Sequence, residues 1–138
     1  MVSEILTLKG ESDGTSASGD FPLYSDVIYR GSPPFTLPTS ILIPPGLKAK
    51  IWAKRLSAEG ETTFLIYYSK DVTVPSPTWE LLSAEKLASK GELTLEKRRP
   101  LIIRSLTGKE GFKISWLQPT ASPSKAYIEL EVELTDEE

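Results

Sequence analysis

The residues that could carry catalysis in this chain are few, and their spacing matches no complete catalytic motif. The sequence has no His and no Cys, which removes the commonest general base, the commonest metal ligand and the thiolate nucleophile. Ser83 and Lys86 have the Ser-x-x-Lys spacing of one nucleophile class, but a chain rich in serine and lysine produces that spacing by chance. Gly108-Lys109 lacks the spaced glycine before it and the Ser or Thr after it that a phosphate-binding loop requires.

Carboxylates offer the remaining route to catalysis. Asp26, Asp71 and Glu80 could supply the acid pair of a glycoside hydrolase, but no feature of the sequence brings two of them together. The acidic residues also lack the ligand spacing of a calcium loop. We therefore predict that the chain is not an enzyme and that it holds no metal ion and no cofactor.

A row of lysines around an indole is the first candidate for a binding surface. Lys48, Lys50, Trp52 and Lys54 fall on one face of a predicted strand. Ammonium groups beside an indole can hold a phosphate backbone and stack a base, or contact an acidic partner. Acidic residues on a neighbouring strand would instead pair with them inside the sheet. The last predicted strand has such a row at Glu129, Glu131 and Glu133. We favour this pairing over a protein interface, and a protein interface over nucleic acid.

Aromatic side chains offer a different chemistry, because their rings stack on sugars. The residues of this kind are Trp52, Trp79, Trp116, Tyr67 and Tyr68. The order Tyr67-Tyr68, Asp71, Trp79 and Arg104 resembles the layout of galactose-binding-like sandwiches over half of the chain, without a diagnostic motif. Aromatic residues at strand spacing more often belong to a core. Carbohydrate is therefore the alternative ligand and not the first expectation.

Short strands must position all of these residues. Ala126 to Leu134 alternates apolar residues with glutamates, which is the period of a strand with one buried face. About nine such strands follow one another at a spacing of roughly 8–12 residues, separated by glycine and proline turns. For residues 79–89 we predict a strand followed by a turn of helix from Ala84 to Ser89. The sequence predicts an all-β, single-domain antiparallel β-sandwich, jelly-roll-like, with at most one short helix.

The first 20 residues are predicted to differ from the rest of the chain. Residues 1–20 have the composition of a short strand followed by a flexible Gly/Ser arm, and residues 21–138 form the β-sandwich domain. The apolar residues of the first strand are Ile5, Leu6 and Leu8. Such a strand can pair within its own chain, which we favour, or add to a neighbouring subunit as an exchanged arm.

The predicted strand from Thr62 to Ser69 is apolar on both faces, unlike a strand with one face in water. One face holds Phe64, Ile66 and Tyr68, and the other holds Leu65 and Tyr67. A second apolar face has to be covered by a loop or by another subunit. We therefore name Phe64, Ile66 and Tyr68 as a candidate interface.

The overall composition indicates a source and a role. Eleven prolines, fourteen Glu against five Asp, and no Asn or Cys are typical of proteins from hot environments. The sequence shows no signal peptide and no apolar run that could span a membrane, so we expect no membrane partner and a location in a virion or the cytoplasm. We predict a non-catalytic structural protein that forms a homo-oligomer or a larger protein shell. Its expected class is a capsid or capsid-decorating component of a virus or phage from a thermophilic host. The alternative is a carbohydrate- or other ligand-binding β-sandwich module.

Overall fold

A computed structural model of the chain describes residues 3–21, 23–25, 35–36, 40–43, 45–88, 90–94, 101–119 and 123–136. These residues form twelve strands and no helix, which confirms the all-β prediction. The strands are β1 (Ser3–Glu11), β2 (Ser18–Asp20), β3 (Leu23–Ser25), β4 (Phe35–Thr36), β5 (Ser40–Leu42), β6 (Lys48–Ala58), β7 (Thr62–Ser69), β8 (Glu80–Leu87), β9 (Glu92–Thr94), β10 (Leu101–Arg104), β11 (Gly111–Leu117) and β12 (Ala126–Thr135). Within these ranges, no helix is long and apolar enough to cross a membrane.

The strands build two antiparallel sheets that pack face to face. The larger sheet has seven strands in the order β10-β6-β12-β1-β3-β4, with β9 also paired to β6. The smaller sheet has five strands in the order β2-β11-β7-β8, with β5 also paired to β11. Apolar residues of both sheets meet in one core. The chain is therefore the β-sandwich that the sequence predicts.

The chain changes sheet at most of its connections. It passes from β6 to β7 in the other sheet, continues as a hairpin into β8, and returns to the larger sheet at β9 and β10. It then crosses to β11 and back to β12. With β1 and β2, this gives the interleaved strand order of a jelly roll, to which β3 and β4 are added beyond β1. The predicted jelly-roll-like arrangement is confirmed.

The core follows the period-2 pattern of the strands that line it. Leu130 and Val132 of β12 are buried, and their glutamate neighbours point outward, as the sequence predicts. Phe21, which follows β2, is fully buried in this core. Its ring lies 6.0 Å from that of Phe64, stacked, and 5.0 Å from that of Trp116, edge to face. These aromatic contacts connect the neighbouring strands β2, β11 and β7 on the core side of the smaller sheet.

A β-bulge reverses the alternation in the middle of β6. Ala49 and Ile51 face the core before the bulge, and Leu56 faces it afterwards. The pairing with β12 shifts register at this point, with Lys54 as the inserted residue. The bulge keeps apolar residues of both halves of β6 in the core, where a strict alternation from Ala49 would have exposed Leu56.

Strand β8 corrects the prediction for residues 79–89. It runs without interruption over Glu80–Leu87, so the turn of helix predicted from Ala84 is wrong. The backbone of this segment pairs with β7, with Ala84 opposite Leu65, and the ladder satisfies the amides that a helix would have satisfied internally. Ser89 lies outside the described residues.

Candidate functional site

The lysine row predicted in β6 lies beside the glutamate row of β12. Lys50 is opposite Glu133 in the register of the sheet, and their side chains form an ion pair at 3.7 Å. The pairing within the sheet is thus confirmed at this position. Trp52 is only 9% exposed, and Lys48 is buried as well. The side chain of Lys54 lies outside the described part of the structure. The described members of the row do not form one open binding surface.

Charges alternate across the outer face of the larger sheet. Arg55 of β6, Glu129 of β12 and Lys9 of β1 follow one another in register. We call this surface the charged outer face, and its charged residues include Lys9, Lys50, Arg55, Glu129, Glu131 and Glu133. Opposite charges directly across a sheet contribute about 0.2–1 kcal/mol per pair. Pairing inside the chain explains this charge pattern without a ligand.

The two faces of β7 lie in different environments. Phe64 is buried in the core, and Ile66 and Tyr68 pack against the same core. These three candidate interface residues therefore lie between the sheets. Leu65 and Tyr67 point the other way, onto the outer face of the smaller sheet. Leu65 and Tyr67 are partly buried and form the outer face of β7.

Neighbouring strands extend this outer face with further apolar side chains. Leu81 of β8 is opposite Tyr67 and is 55% exposed. Leu117 of β11 is opposite Thr63 and is 51% exposed. We call this surface the apolar outer face, and its apolar residues are Leu65, Tyr67, Leu81, Ala84 and Leu117. Leu81 and Leu117 lie on either side of β7, on a face that also holds Thr63, Lys86 and Ser115.

The cation at the centre of the apolar outer face is paired within the chain. The ammonium group of Lys113 lies 5.5 Å from the ring centroid of Tyr67 and 4.6 Å from that of Trp79. Both carboxylate oxygens of Asp20 are 3.3 Å from the same ammonium. The Ser115 hydroxyl donates a hydrogen bond of 2.5 Å to Asp20. The charge of Lys113 is therefore already compensated by groups of its own chain.

The tryptophans predicted as sugar platforms are engaged in other contacts. Trp52 is buried on the larger sheet. Trp116 lies in the core, and its Nε1 donates a hydrogen bond of 2.9 Å to the carbonyl oxygen of Ser16. Trp79 presents its ring to the ammonium of Lys113. Trp52 is thus closed to a sugar ring, whereas Trp79 is partly exposed and contacts Lys113.

Ser83 and Lys86 do not form the nucleophile pair that their spacing allows. Ser83 is opposite Ile66, whose side chain packs against the core, whereas Lys86 is three residues further along and belongs to the other face of β8. Lys86 instead forms an ion pair with Glu61 at 3.0 Å. Because residues three positions apart in a strand lie on opposite faces, Ser83 and Lys86 cannot act as a pair.

In the turn between β10 and β11, the carboxylate of Glu110 accepts hydrogen bonds from other residues of the same turn. Glu110 accepts hydrogen bonds from the amides of Leu106 and Thr107, both at 3.2 Å, and from the hydroxyls of Ser105 at 2.9 Å and Thr107 at 2.8 Å. Gly108 allows the tight turn with a φ of +79°. Burial alone would raise the pKa of Glu110, but these hydrogen bonds outweigh it and lower the pKa to about 2. The amides of Leu106 and Thr107, which a phosphate would need as donors, thus already bond to Glu110.

The N-terminal strand lies in the sheet of its own chain. β1 pairs with β12 along its whole length. Leu8 is fully buried and Ile5 is 50% exposed, while the side chain of Leu6 lies outside the described part of the structure. The Gly/Ser stretch that follows folds into a turn, in which Asp13 accepts two backbone hydrogen bonds of 2.9 Å. Hydrogen bonds therefore order at least part of the predicted arm.

Comparisons with known proteins assign no function to these surfaces. No protein-family model matches the chain, and no curated protein matches its sequence. The functional argument therefore depends on the fold and on the surfaces described above.

Proposed function

We propose that this chain is a non-catalytic structural subunit that self-associates through the apolar outer face of its smaller sheet. The observation that supports this most directly is the exposure of Leu81 and Leu117 on a face whose central cation, Lys113, is already paired with Asp20. A solvated antiparallel sheet ordinarily has polar side chains on its outer face. A second copy of the chain would remove this face from water.

The expected strength of this contact follows from the area that it would bury. A leucine that goes from fully exposed to fully buried contributes about 1.5–3 kcal/mol, so leucines that are already half-buried contribute about half of that. The leucines of two such faces would together contribute several kcal/mol, which is near the lower end of the about 4–15 kcal/mol lost on association. We therefore expect weak association of an isolated pair of copies, strengthened where many contacts repeat in one assembly.

The class of assembly that we propose is the capsid of a virus or phage, or a protein that decorates it, which would place the chain in a virion. The jelly-roll strand order supports this, since capsid proteins are among the proteins that use this architecture. That step is an analogy of fold. The abundance of Glu and Pro and the lack of Asn support a thermophilic host.

Light scattering on protein eluting from a size-exclusion column tests the self-association. We expect the mass to rise above the 15.2 kDa of the monomer as the loading concentration increases. Leu117→Lys should return the protein to the monomer, because it places a charge on the apolar outer face. Ile5→Lys is the matched control, since Ile5 is equally exposed but lies on the outer face of the larger sheet. A monomer at every concentration, or dissociation by Ile5→Lys alone, would contradict the proposal.

A further inference from the structure

Two adjoining depressions open where the smaller sheet ends at β8 and the larger sheet ends at β10. The first has a volume of about 420 Å³ and lies under the loop from Lys70 to Thr78. The second has a volume of about 270 Å³ and lies between Leu82 of β8 and Ile102 of β10. Tyr68 borders both depressions, as does Glu80. Because the two depressions share these residues, we call them together the edge cleft.

The loop that walls the edge cleft is held in place by hydrogen bonds. The amide of Val72 donates to the carbonyl oxygen of Lys109 at 2.9 Å, which ties the loop to the β10–β11 turn. The carboxylate of Asp71 accepts hydrogen bonds from the amide of Thr73 at 2.9 Å and from its hydroxyl at 2.5 Å. A preformed wall lowers the entropy that a ligand loses on binding. These hydrogen bonds fix residues 71–73, at one end of the loop that borders the edge cleft.

The lining of the edge cleft combines hydroxyls, a balanced set of charges and apolar surface. Lys70 and Arg104 are matched in number by Asp71 and Glu80. The hydroxyls come from Ser69, Ser76, Thr78 and Tyr68, and the apolar surface from Val74, Leu82 and Ile102. Balanced charges do not favour a phosphate or a strongly charged peptide. Hydroxyls and carboxylates beside apolar surface match a sugar ring, which has hydroxyls at its edge and C–H groups on its faces.

Tyr68 and Glu80 are the central groups of this lining because both depressions share them. The ring of Tyr68 packs against the core, so its hydroxyl is held at a fixed position. Burial, and then the carboxylates of Glu110 and Glu80, raise the pKa of Tyr68 above its usual 10.0. The phenol therefore remains a hydrogen-bond donor at neutral pH, with an acceptor beside it at Glu80.

We propose that the edge cleft binds a neutral oligosaccharide, with Tyr68 and Glu80 hydrogen-bonding its hydroxyls. The site differs from the tryptophan platforms expected from the sequence, and it lies at the edge of the sandwich and not on the apolar outer face. Of the three carboxylates considered for glycoside hydrolysis, Asp71 and Glu80 border this cleft, and Asp26 lies outside the described residues. The lining of the cleft includes none of Leu65, Tyr67, Leu81 and Leu117, so this proposal does not rest on self-association.

A glycan array of neutral oligosaccharides, followed by calorimetric titration of the best ligand, tests the proposal. Tyr68→Phe keeps the packing ring and removes the hydroxyl, and Glu80→Gln removes the charge from an exposed position. Each should weaken binding by about tenfold or more, the effect of losing one hydrogen bond to a charged or buried partner. Glu85→Gln is the matched control, because Glu85 is an exposed glutamate of the same strand that does not border the cleft.

The outcomes separate clearly. Binding that survives Glu85→Gln and is lost in the other two variants supports a saccharide site at the edge cleft. No binding of any neutral glycan, binding unaffected by Tyr68→Phe and Glu80→Gln, or binding of an extended peptide along β8 instead would each overturn it. Light scattering of the same variants should remain like that of the wild type, so failure of this site is distinguishable from failure of the assembly proposal.

Discussion

The outer faces of the two sheets differ in the side chains that they expose. On the larger sheet, Lys50 and Glu133 pair across neighbouring strands, and charges of opposite sign follow one another in register. On the smaller sheet, Leu81 and Leu117 are exposed, and the central Lys113 is held by Asp20 and two aromatic rings. The first face carries compensated charges, although Ile5 and Ile102 are about half exposed on it. The second exposes leucines on the two strands that flank β7, so it is the face on which we expect a partner.

The largest difference in the free energy of unfolding is expected between variants on the two faces of β7. Phe64→Ala removes a buried ring from the core and should lower the free energy of unfolding by about 3–5 kcal/mol. Leu65→Ala, on the adjacent outer face, should cost the dilute monomer only about 1 kcal/mol. Urea unfolding at low protein concentration measures both. Equal losses in the two variants would show that Leu65 is a core residue.

The next largest effect on stability is expected at Glu110, in the turn between β10 and β11 that joins the two sheets. Glu110→Gln removes the charge that several hydrogen bonds converge on, and should cost about 1–3 kcal/mol at neutral pH. Because the folded pKa of Glu110 is about 2, below its ordinary value of 4.5, its stabilisation is present above pH 4.5 and is lost as the pH falls toward 2. Thermal unfolding of wild type and variant between these values should show their stabilities converging in acid. A constant difference would contradict this role.

A smaller effect should follow from removing the charge partner on the apolar outer face. Asp20→Asn leaves the ammonium of Lys113 without its carboxylate and should cost about 1 kcal/mol. Lys113→Met keeps an unbranched chain between Tyr67 and Trp79, and the double variant should be more stable than Asp20→Asn alone. Chemical denaturation of the double-mutant cycle measures the coupling. Strict additivity would mean that this pair does not interact.

The smallest effect is expected on the charged outer face. Lys50→Met breaks the ion pair with Glu133 and should change the free energy of unfolding by less than about 1 kcal/mol, because the pair is partly exposed. The change should shrink further in high salt. The same unfolding experiment measures this loss. A loss above about 2 kcal/mol, which is about twice the upper value for such pairs, would show that Lys50 contributes more to stability than a solvent-exposed ion pair does.

Strand patterning explains why the fold and the charged outer face could be predicted from the sequence. The alternation in β12 defined one buried and one acidic face, and the lysines of β6 supplied the matching row. Each of these inferences needed only the period of a strand. The pairing of Lys50 with Glu133 followed from two rows of opposite charge.

Features that depend on distant partners could not be predicted in the same way. The bulge at Lys54 is defined by the register with β12, and the strand at Ala84 by pairing with β7. Both override local preference. The alternation in β7 placed Phe64 and Leu65 on opposite faces. It did not show which of these faces is buried, because that depends on the position of the other sheet. Glu110 gave a local signal, with hydroxyl residues three and five positions before it, that the sequence analysis missed.

The salt dependence of self-association tests the central claim most directly. Sedimentation equilibrium of the wild-type protein at about 0.15 M and about 1 M sodium chloride compares conditions in which the Debye length falls from about 8 Å to about 3 Å. Association through the apolar outer face predicts a dissociation constant that is unchanged or lower in the higher salt. A dissociation constant that rises with salt would place the contact on the charged outer face, and a monomer under both conditions would contradict the proposed function itself.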